Sequence, residues 1–478
     1  MNRPIVRLYG LVVLLFALLF AFTSRWTIFE ASSLRGNALN ARALLEQERI
    51  ARGPILASNG TVLARSVRGA EGTYRRTYPS GSLFAQTVGY AYTDLTQTGI
   101  ERDRNTALNG ETSATNLQAI LDQLQGKRRQ GDEVLTTLDP TAQRTAIAAL
   151  GEHSGAVVAL DPRDGAVKVM ASTPSYNPNT LSSASSYERL AHESSAPLLN
   201  RALQYGYAPG STFKIVTATA AIDTGQFTPS STLSGRNDLL VSGVPLANDY
   251  DESFSQLTLT DALAKSVNTV WAQVAEHVGK RTLARYMSRF GFDAKPQLDY
   301  PADEMSASGS YEGERLLAPT SPLIDVGRMG IGQDKLQVTP LQMAEVAAAV
   351  GNHGKLMAPH LTERIVDPEG RTVEQISPRV QSVVMKPSTA AAVTSMMEAV
   401  VNVGTGTPAQ IPGVQVAGKT GTAETQVGNE DNNVWFIAFA PAADPTVAIA
   451  VTIKGVPGFG ATYAAPVAKQ VMEVLLHG

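Results

Sequence analysis

The 478-residue chain contains no cysteine. Disulfides, thiolate catalysis and cysteine-ligated zinc are excluded together. A protein without thiols suits an extracytoplasmic compartment. Histidine is scarce too: His153, His192, His277, His353, His360 and His477 are scattered, and no HExxH pair occurs. His353 and His360 lie closest, but "HGKLMAPH" holds glycine and proline and reads as a turn, so no metal site is expected. An excess of positive charge is also lacking. The formal net charge is −3, which leaves no basic field for nucleic acid. "GIGQ" (Gly330–Gln333) lacks the Lys-Ser/Thr pair of a phosphate loop and reads as a tight turn near a functional site. No internal repeat occurs, and no cofactor is expected.

What is present describes an ordinary globular protein. Hydrophobic residues make up 43% and charged residues 17%, over a length that suits two or three domains. A long uncharged run, "LYGLVVLLFALLFAFTS" (Leu8–Ser24), is bracketed by Arg7 and Arg25. As a helix it spans about 25 Å, slightly short of a ~30 Å hydrocarbon core, and extension to Pro4 or Trp26 closes the gap. "AFTS" is a poor cleavage site because Phe22 separates Ala21 and Thr23, and the run is long for a signal peptide. Residues 1–25 are therefore expected to be an uncleaved anchor, with Arg3 and Arg7 in the cytoplasm and the chain after Arg25 outside.

Residues 26–150 are polar, mixed and Gly-rich, and read as a structural pedestal. "ARALLEQERIARG" (Ala41–Gly53) and "ATNLQAILDQLQGKRRQ" read as helices, and "GPILASNGTVLARSV" as two short strands around Asn59-Gly60. "GKRRQGDE" (Gly126–Glu133) reads as an exposed linker. Composition shifts near Leu150. "GAVVALDPRDGAVKVMAS" (Gly155–Ser172) reads as a hairpin. Helical patterns cover "SSAPLLNRALQYGY", Ser211–Thr224, Thr260–Val278, Arg281–Phe290, Thr339–Ala349, Pro387–Val403 and Ala464–Leu476. "VWFIAFAP" and "TVAIAVTIKG" read as strands, preceded by "GNEDNN" (Gly428–Asn433) as a solvated hairpin tip. A terminal strand pair and helix returning to an opening hairpin predict one α+β domain over 151–478.

The chemistry begins at "APGSTFKIVTA" (Ala208–Ala218), where Ser211 and Lys214 stand three residues apart. On a helix they share a face, about 4.5 Å apart along the axis. Unpaired N–H groups at a helix start can steady an oxyanion. A serine hydroxyl needs a base, and a lysine near its usual ~10.4 is a poor one unless desolvation or a cationic neighbour lowers it. "FKIVTATAAI" supplies apolar company. Alone, Ser-x-x-Lys arises by chance about once or twice in a chain this long, and a capped helix with a snorkelling lysine is then the better explanation. "LAKSVNTV" adds Ser266 and Asn268 inside the pattern Thr260–Val278. "VAGKTGTAET" adds Lys419, Thr420, Gly421 and Thr422 ahead of the strand pair. Singly these read as a loop, a cap or a strand end. Together, in this order, they match the S-x-x-K, S-x-N, K-T-G set of penicillin-recognising serine enzymes.

With "LLNRALQYGYAPGSTFK", "MGIGQDKLQVTPLQMA" and "WFIAFAP" in the C-terminal part, the chain resembles the class B penicillin-binding proteins, most of all the actinobacterial penicillin-binding protein A group. "RGPILASNGTVLA", "YPSGSLFAQTVGY" and "GIERDRNTALNG" extend the resemblance into the N-terminal region. Two places depart from the family pattern. Ala57 and Ser58 replace an acidic residue after Arg-Gly-x-Ile, and Asn433 stands where many relatives carry histidine.

The resemblance implies a transmembrane helix (1–25), an N-terminal pedestal (26–150) of dimerisation type, and a β-lactamase-like transpeptidase domain (151–478) with an antiparallel sheet flanked by helices. It implies that Ser211 attacks the D-Ala-D-Ala amide of a peptidoglycan stem peptide, with Lys214 as base. Ser266 would relay a proton to the leaving amine, and Asn268 would hold the substrate amide and orient Lys214. Lys419 would keep Lys214 neutral. Thr420 and Thr422 would bind the terminal carboxylate, the N–H groups of Ser211 and Thr422 would form the oxyanion hole, and Gly421 would let a substrate backbone approach. β-Lactams would acylate the same serine. A partner, a polytopic membrane glycosyltransferase, would supply the glycan, because 26–150 lacks a glycosyltransferase's paired-acid motif. Attack by water on the acyl-enzyme would make the protein a D,D-carboxypeptidase instead. A non-catalytic penicillin-binding scaffold is the remaining alternative.

Overall fold

A strand that is apolar at every position needs cover on both faces. "GAVVAL" obtains it as an interior strand of a sheet packed on both faces. The computed structural model describes residues 3–24, 48–92, 95–111, 129–181, 183–424 and 431–477. The expected helix "ATNLQAILDQLQGKRRQ", most of that over 41–53, part of the "GKRRQGDE" linker and part of the tip "GNEDNN" lie outside these residues. The first elements are α1 (Arg3–Ser24), β1 (Ile55–Leu56), β2 (Val62–Arg68), β3 (Tyr74–Thr77) and β4 (Glu133–Thr136). Next come α2 (Pro140–Leu150), β5 (Gly155–Leu160), β6 (Val167–Thr173), α3 (Lys214–Asp223), α4 (Leu259–Ala264), α5 (Asn268–Val278) and α6 (Pro340–Gly351). The chain closes with β7 (Thr362–Val366), β8 (Thr372–Gln375), α7 (Pro387–Val403), β9 (Ala417–Glu424), β10 (Asp431–Ala440), β11 (Val447–Pro457) and α8 (Ala464–His477).

α1 and Val67–Arg75 belong to one compact unit, and Arg52–Ser66 with the chain from Arg76 onward to the other. α1 carries exposed apolar side chains along its length, and the mean hydropathy over Arg3–Phe20 is 1.9. It is long and apolar enough to cross a membrane.

In the larger unit, a five-stranded antiparallel sheet runs β9-β10-β11-β5-β6. Its side chains alternate between two cores, as the period of a strand requires. Val157, Ala159, Phe436, Ala438, Ile449 and Val451 pack toward α2 and α8. Ala156, Val158, Trp435, Ile437, Phe439 and Ala450 pack toward α6 and the helices around it. α6 is buried at every position and is the central helix of the second core. α2 starts sharply because Asp139 accepts from the N–H groups of Thr141 and Ala142 at 2.7 and 2.9 Å, with Pro140 in the first turn.

A second sheet runs β8-β7-β4-β1-β2-β3. β1 pairs parallel to β4, with Ile55 beside Val134, and β7 pairs antiparallel on the other side of β4, with Ile365 beside Val134. Strands from 362–375 thus complete a sheet otherwise drawn from the pedestal region, across the division read at residue 150. Ala57 is fully buried there, and Ser58 is held by its hydroxyl and N–H to the Leu138 carbonyl at 2.8 and 3.0 Å. The burial of Ala57 leaves no place for an acidic side chain there, whereas Ser58 is exposed.

Two helical readings are corrected. "SSAPLLNRALQYGY" forms turns. Side chains there take the backbone groups a helix would need: Gln204 Oε1 accepts from Asn200 N–H at 2.8 Å, and Asn200 Oδ1 from Ala202 N–H at 3.1 Å. The pattern Thr260–Val278 is two helices, α4 and α5, broken at Ser266, whose φ is 61°.

Candidate active site

The nucleophile segment is pinned before its helix begins. Gly210 has φ 52°, and a Cβ there would lie 2.3 Å from Thr422 O, so left-handed geometry and close approach to β9 both require glycine. Gly210 N–H donates to Gly332 O at 3.0 Å, which brings "GIGQ" against the site as the turn it was read to be. Trp435 Nε1 donates to Ala208 O at 2.9 Å. Gly210–Phe213 winds as a 3₁₀ turn and continues as α3, so the expected helix from Ser211 opens tighter than an α-helix. Ser211 is 9% exposed and Lys214 is fully buried.

Five of the expected residues meet behind this turn. Lys214 Nζ donates to Ser266 O at 2.7 Å, to Asn268 Oδ1 at 2.7 Å and to Ser266 Oγ at 3.4 Å. Lys419 Nζ donates to the same Ser266 Oγ at 3.0 Å and to Thr420 O at 3.0 Å. The break between α4 and α5 makes this possible: the left-handed turn at Ser266 swings its carbonyl and hydroxyl away from helical bonding and onto the lysines. Among the described residues no hydrogen bond joins Lys214 to Ser211. The lysine faces the Ser266–Asn268 segment.

"KTG" lies within β9 itself, rather than ahead of the strands. Thr420 Oγ1 is 2.6 Å from Thr405 Oγ1, and Thr422 Oγ1 accepts from Gly460 N–H at 3.4 Å. Gly421 has a packing reason. A Cβ there would meet Pro209 O at 2.7 Å and Thr212 Cγ2 at 2.8 Å, so the absent side chain makes room for the nucleophile turn. Ser211, Ser266, Thr420, Gly421 and Thr422 line a cleft of ≈ 430 Å³, and Lys214 and Lys419 sit buried behind it.

Electrostatics follow from that burial. Desolvation pushes Lys214 well below its ordinary pKa, the charge of Lys419 pushes further, and Asp249 pulls back. Burial takes Lys419 down to about 7, again against Asp249. The described residues contain no cluster of metal-ligating side chains.

Asn248, Asp249, Tyr250, Thr405 and Phe459 also line the cleft and carry no motif that reveals them. The nearest signal is "NDYD", a run rich in turn-forming Asn and Asp, where Tyr250 and Asp251 take φ 57° and 54°.

Fold and cleft place the protein among the penicillin-recognising serine enzymes. Within that class, the chain belongs to the penicillin-binding protein transpeptidases. The penicillin binding protein transpeptidase domain matches residues 155–473, and the penicillin binding protein A dimerisation domain matches residues 52–134. The chain is 33% identical over 503 residues to the peptidoglycan D,D-transpeptidase PbpA of Mycolicibacterium smegmatis, covering 100% of this chain and 99% of that one. It is 33% identical over 506 residues to the PbpA of Mycobacterium tuberculosis, covering 100% of both. The ceftriaxone acyl-enzyme of penicillin-binding protein A from M. tuberculosis superposes with a TM-score of 0.82 at 31% identity, covering 91% of this chain and 100% of that one.

Proposed function

We propose that this protein is a peptidoglycan D,D-transpeptidase that crosslinks stem peptides through a serine acyl-enzyme and is acylated by β-lactams. The observation that carries the residue assignment is the Ser266 hydroxyl, which bridges the two buried lysines at 3.0 and 3.4 Å on the cleft that holds Ser211. In this reading a neutral Lys214 takes the proton of Ser211 as Oγ bonds the carbonyl carbon of the penultimate D-Ala. The contact tightens when substrate enters, because catalytic hydrogen bonds are often long in the unliganded site. The N–H groups of Ser211 and Thr422 receive the oxyanion. The C–N bond to the terminal D-Ala breaks, and the proton reaches the leaving amine through Ser266. A second stem-peptide amine then attacks the ester, forms the new amide and frees Ser211. Lys419, Thr420 and Thr422 hold the terminal carboxylate of the donor.

We further assign residues 1–25 as a single-pass anchor with the domain 151–478 outside the cytoplasm, and 26–150 as the pedestal. The exposed apolar α1 supports the anchor. A polytopic membrane glycosyltransferase is the proposed partner, since residues 26–150 lack the paired-acid motif of a glycosyltransferase.

Fluorescent penicillin tests the site directly. Wild type is expected to label stably, and Ser211→Ala and Lys214→Ala to lose labelling. Folded wild type that does not label would favour the scaffold reading. A stem-peptide donor with an added acceptor amine decides the rest. Crosslinked product identifies a transpeptidase, and hydrolysis alone a carboxypeptidase.

A further inference from the structure

Asn268 has an amide whose two ends must be told apart. Its Oδ1 accepts from Lys214, so its NH₂ group points the other way. That group donates to Ala247 O at 3.2 Å and to Asp249 Oδ1 at 3.3 Å. Both acceptors lie on one loop, and the loop is held from several sides. Asn248 Oδ1 accepts from Thr269 N–H at 3.0 Å and from its hydroxyl at 3.1 Å, which ties the loop to the start of α5. Asn248 Nδ2 donates to Gly235 O at 3.0 Å and Glu252 O at 2.9 Å. Directly after Asp249, Tyr250 and Asp251 both adopt left-handed backbone, a strained arrangement for non-glycine residues that clusters at functional sites.

We propose that Asp249 is a positioning residue of this active site, fixing the Asn268 amide with its oxygen on Lys214 and acting as the shared counter-ion of Lys214 and Lys419. The proposal rests on the serine acyl-enzyme reading above. It extends that reading to a residue outside the three motifs.

The charge arrangement supports it. Lys214 on α3 and Lys419 on β9 feel the Asp249 carboxylate, which opposes the effect of their burial. Lys265, at the end of α4, lines the same cleft, as does Glu252 on the loop itself. Asp251, also on the loop, is engaged by Asn237 Nδ2 at 3.3 Å. Asp249 therefore displaces, against the larger effect of burial, the pH window in which Lys214 is neutral while Lys419 is charged. Both hydrogens of the Asn268 NH₂ are already engaged. A substrate carbonyl that needs one displaces the longer contact, the one to Asp249.

The test is the rate of acylation by fluorescent penicillin from about pH 5 to about pH 10, which brackets both lysines. Asp249→Asn keeps an acceptor for Asn268 and removes the charge. Asp249→Ala removes both. Asp249→Glu keeps the carboxylate. Without the carboxylate both lysines fall further, so both limbs of the profile move to lower pH in the Asn and Ala variants. On the acid limb Asp249→Asn is expected to react roughly threefold faster than wild type, the size of one exposed charge at short range. Asp249→Ala shows the same displacement with a lower maximum, on the order of tenfold, from the loosened Asn268. Asp249→Glu returns the limbs to their wild-type positions. Neutral variants whose limbs coincide with wild type overturn the proposal, whether or not the maximum falls, because uniform loss is what a mere prop would give. Asp249 is exposed, so the three variants test the loop without opening the core. Labelling of Ser211→Ala, or unlabelled wild type, would instead overturn the acyl-enzyme reading itself, and the Asp249 role with it.

Discussion

Glu101 and Lys214 are both sealed from solvent, each 0% exposed, yet their surroundings are opposite. Glu101 accepts from Arg52 Nε at 2.7 Å and from Arg76 Nε at 2.5 Å. Arg52 continues to Asn105 and Asn109 at 2.6 and 2.8 Å, and Arg76 to Gly53 O at 2.7 Å. Burial alone would raise the Glu101 carboxyl, but Arg76 and Arg52 outweigh it and hold the group below its ordinary value. Among the described residues Lys214 has only neutral oxygens in bonding range, with Asp249 opposing from beyond it and a second lysine nearby, and burial drives it down. Compensated charge locks a structure, because removing one partner strands the others. Uncompensated charge is released as a proton, and that makes a lysine a base at neutral pH.

The sharpest way to break this contrast is Lys214→Met, which replaces the amine by an apolar chain of similar length. Acylation should fall by about 10³-fold, the upper range of a lost general base. Stability should hold or rise by about 1–2 kcal/mol, since a buried amine whose counter-ion, Asp249, makes no ion pair with it contributes little. Denaturant midpoints beside labelling rates measure both. A loss of several kcal/mol would show that Lys214 is a structural tie, and the two regions would no longer differ in kind.

The converse substitution is Glu101→Gln. It leaves two guanidinium groups without their anion and should cost about 3–5 kcal/mol, while the acylation rate per folded molecule stays within about twofold. Its pH dependence has a definite sign. The folded-state pKa of Glu101 lies below the unfolded one, so its contribution is present above the ordinary carboxylate pKa and drains as pH falls through the folded value. The deficit of Glu101→Gln relative to wild type should therefore shrink on acidification. A deficit that stays constant with pH would mean that packing, not charge, holds this cluster.

How much of this was open to sequence reading depends on distance along the chain. The three motifs are local spacings, and the helices α7 and α8 follow an apolar period, so they could be read directly. The break at Ser266 could not, because "LAKSVNTV" continues a helical pattern and the lysines that the turn meets come from α3 and β9, far away in the chain. β7 joins the second sheet by pairing with β4, which lies far back in the chain, and β8 follows at the edge by pairing with β7. Asp249 was hidden for the same reason, since only the folded loop sets it beside Asn268. The packing role of Gly421 was hidden too, because what its Cβ would strike is known only once the nucleophile turn is packed on β9.

Glu345 supplies a third kind of buried charge and the finest test of the contrast. It lies in the middle of α6, 2% exposed, and its Oε1 has no hydrogen-bond partner among the described residues. Burial pushes its carboxyl up to about 8, so it stays neutral in the fold at physiological pH. The unfolded chain releases that proton above about 4.3. Stability therefore drains as pH rises from the unfolded value toward about 8. Glu345→Gln has nearly the same shape and cannot ionise. Near pH 4 it should match wild type within about 0.5 kcal/mol. As pH rises toward about 8 it should become progressively more stable than wild type, and above that value the gap should stop growing. Parallel curves would place an ionised carboxylate in this core, and neutralisation would then not be how the fold tolerates a charge it leaves unpaired. A widening gap would put Glu345 and Lys214 under one rule, in which the acid keeps its proton and the base gives its proton up.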